Sequence, residues 1–294
     1  MNKPSIAIVG AGKVGSALAV ALQKADYPIV GIASRSLQSA QKLGLRLQVD
    51  YSDQPAQIVT KAKTVFITTP DREITKTTVS IAAAGGFKEG QVVVHTSGVL
   101  SSKAIIIAAE HGASIAAFHP LQSFADIDTA INNLPGSYFA LDGDAVALKT
   151  LEPILNDLQG KGITINAKDK PLYHAAAVVA SNYLVTILHL ATEMLSKLGM
   201  DQKQAAEALF PLIQGTINNI KNKGTANALT GPIERGDKET MQKHLDKLAL
   251  FDLEEQQAYK ALGAMTVKIA LEKGSIDEDT AYQLINTLEV SNHE

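Results

Sequence analysis

The sequence predicts an α/β domain with a doubly wound parallel sheet, followed by an all-α C-terminal domain. Short apolar segments alternate with amphipathic helical segments through the first half of the 294 residues, and strand signals vanish after residue 166. Continuous apolar strands that alternate with helices are typical of a parallel sheet that helices cover on both faces. We therefore expect two domains, residues 1–166 and residues 167–294.

The expected strands are short and mostly apolar. They cover residues 5–9, 29–33, 46–49, 64–68, 92–95, 114–118, 138–141 and 163–165. The first helix covers residues 12–25, with Val14, Leu18 and Leu22 on one face. Sheets of this kind bind ligands beyond the carboxyl ends of their strands, so the residues that follow each strand are the candidates for a site.

Long helices dominate the second half of the chain. They are expected at residues 171–198, 202–221, 238–248, 253–272 and 277–288. The first contains HAAAVVASNYLVTILHLA, which is apolar on nearly every face and indicates burial in a core or in a subunit interface. Because a small domain has limited capacity to bury such a helix alone, we expect a homodimer formed mainly through the helical domain.

Composition excludes several kinds of site and partner. The absence of cysteine excludes disulfides, thiolate metal ligands and cysteine nucleophiles, and no histidine pair with an acidic cluster indicates another metal site. The net charge of −3 leaves no broad cationic field for nucleic acid or an anionic membrane. The N-terminal apolar stretch is too short for a signal peptide and no run approaches a membrane span, so we expect a cytoplasmic protein.

A glycine-rich turn follows the first predicted strand and begins the first predicted helix. Its G-x-G-x-x-G pattern comprises Gly10, Ala11, Gly12, Lys13, Val14 and Gly15. Gly10 permits the tight turn, Gly12 lets the backbone approach a pyrophosphate, and Gly15 lets the helix pack close to the strand. The helix N-terminus presents free N–H groups to the phosphates. This context predicts a Rossmann dinucleotide-binding site.

The residues after the second strand indicate which nicotinamide cofactor the site binds. NAD sites place an acidic residue there to bind the ribose 2′-hydroxyl, whereas this sequence has Ser34, Arg35 and Ser36. Arg35 can pair with a 2′-phosphate and both serines can donate hydrogen bonds to it. Ser36 can also cap the next helix, which is compatible with phosphate binding. We therefore expect NADP as the cofactor.

Three further strand ends carry polar residues. Thr69 and Pro70 follow the fourth strand and are expected at the nicotinamide ribose, while Thr96 and Ser97 follow the fifth. His119 follows the sixth strand, where a substrate would meet the nicotinamide ring. Because hydride transfer needs a proton donor or acceptor beside it, His119 is the main candidate for acid–base work near neutral pH. His95 lies inside its strand and is expected to be a core residue.

The helical domain contributes a second set of candidates. His174 and Ser181 are seven residues apart, hence on one helix face, with Asn182 beside them. Such polar residues need partners, which are either other helices or the substrate. Arg235 lies in the long loop of residues 224–237 and is a candidate for binding an anion, unless that loop is a solvated turn capped by Asp237.

Several segments together carry a family resemblance. They are GAGKVGSALA, TTPDREI, HTSGVLSS, AAFHPLQSF, HAAAVVASNYLV and LTGPIERGD. The chain resembles bacterial proteins, assigned as NADP oxidoreductases, that pair a Rossmann-like NADP domain with a helical domain of unknown function. More distantly it is similar to the 6-phosphogluconate dehydrogenase-like superfamily, which includes ketopantoate reductase, pyrroline-5-carboxylate reductase and prephenate dehydrogenase.

The similarity to prephenate dehydrogenase implies roles for particular residues. It implies that His119 is the base and that Ser97, His174 and Ser181 contribute to the site. The chain departs from that enzyme at Asn182, where a second histidine would stand. It also lacks the lysine signature of the hydroxyacid dehydrogenases, since Ala177 and Val178 occupy those places. These departures argue against prephenate as the substrate and against a lysine-based mechanism.

Two functions agree with these patterns. The first is an NADP-dependent oxidoreductase that transfers a hydride to or from a small anionic carbonyl, hydroxyl or imine compound. The second is a catalytically inactive NADP-binding sensor that retains the fold, because fold alone does not establish activity. Polar groups that converge on one crevice favour the enzyme, with a small molecule as its partner.

Overall fold

The computed structural model describes residues 3–289. The chain divides into two compact units, Met1–Leu184 and Val185–Glu294. This division lies later than the expected boundary at residues 166 and 167. The reason is that the first turns of the long apolar helix contact the sheet, where Tyr173 hydrogen-bonds to His119.

Within the described residues, the first unit contains an eight-stranded sheet. Its strands are β1 (Ile6–Val9), β2 (Ile29–Ala33), β3 (Tyr51–Ser52), β4 (Thr64–Ile67), β5 (Val92–His95), β6 (Ser114–Pro120), β7 (Tyr138–Gly143) and β8 (Lys161–Thr164). They lie in the order β3-β2-β1-β4-β5-β6-β7-β8. Neighbouring strands from β3 to β6 pair in parallel, β7 pairs antiparallel with β6, and β8 is parallel to β7. The predicted doubly wound sheet is confirmed, with one reversal at β7.

Helices alternate with these strands in the first unit. They are α1 (Lys13–Lys24), α2 (Leu37–Leu47), α3 (Pro55–Val59), α4 (Asp71–Ala83), α5 (Ile106–Glu110), α6 (Ile127–Asn133), α7 (Ala145–Asp157) and α8 (Lys170–Val178). Apolar side chains fill the space on both faces of the sheet. At the centre of one face, the Phe118 ring lies 6.0 Å from that of Phe66 and 4.6 Å from that of Phe139. Because Phe118 is fully buried, it fixes the end of β6 and with it His119.

The prediction for the third strand was wrong. Residues 46–49 were expected to form it, but α2 continues through Leu47 and β3 is Tyr51–Ser52. The reason is that Leu43 and Leu47 lie on the buried face of α2, which prolongs the helix until Gln48 adopts a left-handed conformation. The two residues of β3 then pair with β2.

The sixth strand is longer than expected. It was predicted to end at Phe118, yet it continues through His119 and Pro120 because both residues pair with β7. His119 is therefore one of the last paired residues of β6 and does not lie in a loop. Pairing with Ala140 of β7 holds the histidine backbone on that side of β6.

The second unit is helical, as predicted. A π-helical turn, Val179–Tyr183, joins α8 to α9 (Leu184–Ser196), and α10 (Gln202–Ala228), α11 (Lys238–Leu248), α12 (Leu253–Lys273) and α13 (Glu278–Glu289) follow. Met241, Val267 and Leu284 are the centre of its core. Helical bonding continues past a kink at Gly224, so the expected loop begins only after Ala228.

The long apolar helix is not buried within its own chain, contrary to the expectation of a core helix. The side chains of Leu172 and Val185 are 76% and 67% exposed. The segment Ala167–Ser196 is also long and apolar enough to cross a membrane by length and composition, which corrects the expectation that no run approaches a span. Burial of this helix in a subunit interface, the other alternative, remains a prediction.

Candidate functional site

The glycine turn between β1 and α1 is packed against the end of β4. Gly10 has φ of +118°, a region that L side chains rarely adopt. The hydroxyl of Thr68 donates a 2.7 Å hydrogen bond to the Gly10 carbonyl. A Cβ at Gly15 would overlap both that carbonyl and the Thr68 side chain. Gly15 is therefore required for close packing of the helix on the strand.

Gly12 faces open space, in contrast to Gly15. No atom lies within 4 Å of the position that a Cβ would take at Gly12. As the N-cap of α1, Gly12 supplies no side-chain cap, and the first turn of this helix contains no acidic residue. Free N–H groups at an uncapped helix N-terminus are suited to bind a phosphate. The opening beside Gly12 leaves space for that group.

A crevice of about 890 Å³ lies along this turn. The structure places nine of the ten predicted cofactor residues on its wall, namely Gly10, Gly12, Lys13, Val14, Ser34, Arg35, Ser36, Thr69 and Pro70. The tenth, Gly15, packs behind the wall. The crevice wall also includes Thr96 and two basic side chains, Arg72 and Lys76.

At the β2 end of the crevice, Arg35 is exposed and flanked by two serines. Ser36 Oγ accepts a 3.3 Å hydrogen bond from Ser39 N, so it caps α2 as predicted. Its own O–H can still donate to an anion. Asp53, which follows β3, lines the same crevice. Sequence reasoning missed Asp53 because it placed the third strand too early.

His95 is a structural residue, as expected. It is fully buried, its Nε2 lies 2.9 Å from the Ser101 carbonyl oxygen, and its Nδ1 accepts a hydrogen bond from Ser97 N. These partners assign the ring hydrogen to Nε2. Burial lowers the pKa of His95 to about 4, with a smaller contribution from the charge of Lys170, so the ring is neutral at neutral pH.

His119 forms a hydrogen bond with a residue that sequence reasoning missed. Its Nδ1 lies 2.9 Å from the Tyr173 hydroxyl, and the two rings meet edge to face. Burial raises the pKa of Tyr173 to about 12, so this hydroxyl keeps its proton. The signal available in the sequence was the position of Tyr173 directly before His174.

His174 approaches the other side of His119. The two imidazole centroids are 6.2 Å apart, and both rings pack against Gly98. A Cβ at Gly98 would lie 2.8 Å from His174 Nδ1 and 2.9 Å from His119 Nε2. His174 Nδ1 is buried without a hydrogen-bond partner among the described residues. Gly98 is thus the residue that lets both rings approach the backbone after β5.

The electrostatic environment corrects the expectation that His119 titrates near neutrality. Its pKa is lowered to about 4, mainly by burial and to a smaller extent by the charges of His174, Lys170 and His95, in that order. The ring is therefore a neutral imidazole at pH 7, with one nitrogen that donates and one that accepts.

Ser97 has a defined structural role next to Gly98 and the histidine cluster, which comprises His119, Tyr173 and His174. It is buried, and its Oγ accepts hydrogen bonds from Val99 N and Leu100 N at 3.3 and 3.1 Å. These bonds hold the turn after β5 that carries Gly98. The hydroxyl hydrogen remains available to donate to a ligand.

The remaining candidates are placed as follows. Ser181 and Asn182 are exposed and belong to the π-helical turn Val179–Tyr183. Arg235 lies in the second unit, between α10 and α11, where Asp237 caps α11 through Thr240 N. The roles expected for these three residues at a substrate remain predictions. Within residues 3–289, no group of three or more His, Asp or Glu side chains is arranged to hold a metal ion.

Comparison with known families divides the chain into two parts. Residues 1–120 match a Rossmann-like domain, and residues 137–266 match a domain of unknown function, DUF2520. The two matches stand in the order that the family resemblance implies, a Rossmann-like domain followed by a domain of unknown function. The predicted family resemblance is therefore confirmed. No curated protein sequence matches the chain.

Solved structures share the fold along nearly the whole chain. Protein TM1727 from Thermotoga maritima is 26% identical over 92% of this chain and 99% of its own, with a TM-score of 0.71. BF3122 from Bacteroides fragilis, described as a candidate NADP oxidoreductase, is 24% identical over 90% and 98%, with a TM-score of 0.65. The 1-pyrroline-5-carboxylate reductase of Streptococcus pyogenes is 15% identical over 97% and 100%, with a TM-score of 0.61.

The two glycines of the turn should respond differently to alanine. Gly15→Ala should lower the free energy of unfolding by roughly 1–3 kcal/mol, because its Cβ overlaps backbone and the Thr68 side chain. Gly12→Ala should leave the free energy of unfolding nearly unchanged and weaken dinucleotide binding, because its Cβ fills only the open crevice. Denaturant unfolding and cofactor titration measure both effects. Equal stability losses in the two variants would contradict this account of the turn.

Proposed function

We propose that the chain is an NADP-dependent oxidoreductase that transfers a hydride to or from a small anionic carbonyl, hydroxyl or imine compound. One observation carries the proposal. The turn of residues 96–98 after β5 connects the crevice to the two histidines. Thr96 lines the crevice, and Gly98 contacts His119 and His174. A reaction at the end of a nicotinamide cofactor would therefore take place beside a histidine pair.

The residues of the crevice fit a dinucleotide. The open position beside Gly12 and the uncapped N-terminus of α1 would receive the pyrophosphate. Arg35, with Ser34 and Ser36, would bind a 2′-phosphate through charge and hydrogen bonds. Thr69, whose hydroxyl is buried without a hydrogen-bond partner among the described residues, would donate to the nicotinamide end. When bound, NADP supplies or accepts the hydride.

His119 would carry the proton that accompanies the hydride. Because Tyr173 occupies Nδ1, Nε2 is the nitrogen that would face a substrate beside Gly98. In reduction, the imidazolium formed by protonation of the ring donates its Nε2 proton to the substrate oxygen or nitrogen as carbon receives the hydride, and the ring is left neutral. In oxidation, Nε2 accepts the proton as the hydride leaves carbon. Tyr173 can donate to Nδ1 or accept from it, which permits either tautomer.

A positive charge beside the histidine cluster supports an anionic substrate. The crevice wall itself carries both signs, with Arg72 and Lys76 beside Asp71 and Glu73, but the buried ammonium of Lys170 acts on His119. The names of similar proteins support the reaction class, because BF3122 is described as a candidate NADP oxidoreductase and the Streptococcus pyogenes protein is a reductase. Cofactor binding without turnover on any such compound would instead favour the inactive NADP-binding sensor.

We further propose that the protein acts as a homodimer formed mainly by its exposed apolar helices. Leu172, Val185 and Phe210 are 76%, 67% and 65% exposed, and water contact with this much apolar surface is unfavourable. The same helix carries His174, Ser181 and Asn182, and polar groups are costly in lipid. A second copy of the chain is therefore the better partner for this surface than a bilayer.

NADP(H) should bind more tightly than NAD(H), because Arg35 can pair with the 2′-phosphate. Arg35→Ala should lower NADP affinity by roughly 10- to 100-fold, the loss of one charge-assisted pair, and leave NAD affinity nearly unchanged. Calorimetric titration of both cofactors measures the difference. Asp53→Asn is the matched control in the same crevice. If Asp53→Asn lowers NAD affinity and Arg35→Ala has no effect on NADP affinity, the preferred cofactor is NAD rather than NADP.

The native protein should sediment as a dimer at micromolar concentration without detergent. Val185→Glu should shift it toward monomer, because burying a carboxylate in an apolar interface is unfavourable. Leu45→Glu alters a residue of similar exposure in the first unit and should leave the dimer intact. A monomeric native protein, or one that needs detergent to remain dispersed, is the contrary result.

His119→Asn should lower turnover roughly 10²–10⁴-fold, the usual contribution of an acid or base, with NADP affinity nearly unchanged. The substrate is first identified by screening keto acids, imines and hydroxy acids with both redox forms of the cofactor. His111→Asn is the control, since His111 is exposed and its Nδ1 lies 2.9 Å from the Ile107 carbonyl oxygen of its own helix turn. Full turnover by His119→Asn would remove the assigned role.

The pH profile supplies an independent check on His119. Because the neutral ring is the base, kcat/KM for oxidation should be level from about pH 5 to 8. It should fall as the pH drops through the His119 pKa of about 4, where the ring becomes protonated. An acid limb centred near 6.5 in the free enzyme would contradict the buried environment.

A further inference from the structure

Lys170 is a buried cation without a hydrogen-bonded partner. It is the first residue of α8, its side chain is 0% exposed, and its Nζ has no hydrogen-bond partner among the described residues. Burial lowers the pKa of Lys170, while the charges of Asp142 and Asp71 oppose that change and favour the ammonium form. Most buried polar groups are satisfied, so this one needs an explanation.

The position of Lys170 relates it to the histidine cluster. Tyr173 and His174 follow it by three and four residues, so all three project from one side of α8. Tyr173 hydrogen-bonds to His119, and the His174 ring contacts it. The same helix turn thus supplies one buried positive charge and both neighbours of the His119 ring.

Stability does not explain this lysine. Removing an ammonium from water without a direct partner is unfavourable, and an apolar side chain of similar volume would avoid that penalty. Its side chain fills space that methionine could fill. An unfavourable group beside a candidate site is the pattern expected when function and stability conflict.

We propose that Lys170 is a positioning residue for His119: its buried ammonium excludes a second positive charge from that ring and so maintains the neutral imidazole that exchanges a proton with the substrate. The importance of this role for catalysis rests on the proposed function. In this role Lys170 acts through His119, which distinguishes it from the catalytic lysines of the hydroxyacid dehydrogenases.

The charges around the ring agree with this role. Lys170 is among the groups that lower the pKa of His119 and of His95, although burial is the largest cause for both. His174 also disfavours a proton on His119. Asp142 and Asp71 are the acidic groups whose charges act on Lys170, and the Asp142 carboxylate already accepts a hydrogen bond from Ser102 N. A proton on His119 would therefore share a dry region with an existing cation.

The test uses Lys170→Met in the full-length protein, with no substrate required. Ring chemical shifts of His119, followed by NMR as a function of pH, measure its protonation directly. The pKa of His119 should rise from about 4, because a nearby like charge is removed, while burial and His174 keep it below its ordinary value. Thermal unfolding should show equal or higher stability. Lys168→Met removes an exposed lysine two residues earlier and should change neither quantity.

The outcomes separate this role from a purely structural one. An unchanged His119 pKa in Lys170→Met, with or without a change in stability, overturns the proposal. If the methionine variant fails to fold, Lys170→Gln provides the same measurement with a polar side chain. When a substrate is known, the acid limb of kcat/KM should move toward neutral pH in Lys170→Met and return in Lys170→Arg. A shifted His119 pKa without any turnover supports the electrostatic role and contradicts only the proposed reaction.

Discussion

Close approach of the backbone at two strand ends is the constraint on which the site depends. Gly15 has no room for a side chain because the Gly10 carbonyl and Thr68 occupy that space, and Gly98 has none because two imidazole rings do. The first contact sets the distance between α1 and the sheet, and hence where phosphates would meet the helix N-terminus. The second sets the distance between the turn after β5 and the histidines. Missing Cβ atoms therefore determine the geometry of both the glycine turn and the turn beside the histidines.

Desolvation governs proton chemistry in this unit more than any single charge does. It is the largest cause of the lowered pKa of His95 and His119, and it raises that of Tyr173. The same burial has different consequences because the hydrogen bonds differ. Both ring nitrogens of His95 are bonded to the protein backbone, whereas only Nδ1 of His119 bonds to Tyr173. His95 is therefore restricted to a structural role, while His119 keeps one nitrogen for exchange with a ligand.

Local pattern was sufficient to predict the nucleotide crevice but not the histidine cluster. The residues from Gly10 to Gly15 are contiguous, and strand, turn and helix follow one another in sequence, so spacing alone indicated the geometry. The partners of His119 come from α8, more than fifty residues away, and from the turn at Gly98. The periodicity of apolar residues along the sequence does not indicate contacts between residues so far apart in the chain. The prediction of the third strand was wrong for a related reason. Burial of Leu47 prolonged α2, and local propensity alone does not determine where such a helix ends.

The apolar helix shows that a pattern can indicate burial without identifying what buries the helix. Its sequence does lack a polar face, yet Leu172 and Val185 remain exposed in the single chain. An all-apolar helix needs a partner but does not specify whether that partner belongs to the same chain. The π-helical turn Val179–Tyr183 interrupts this helix where Ser181 and Asn182 lie, and such turns occur often at functional sites. A helix that must serve both association and a site has reason to deviate from regular geometry where its polar residues occur.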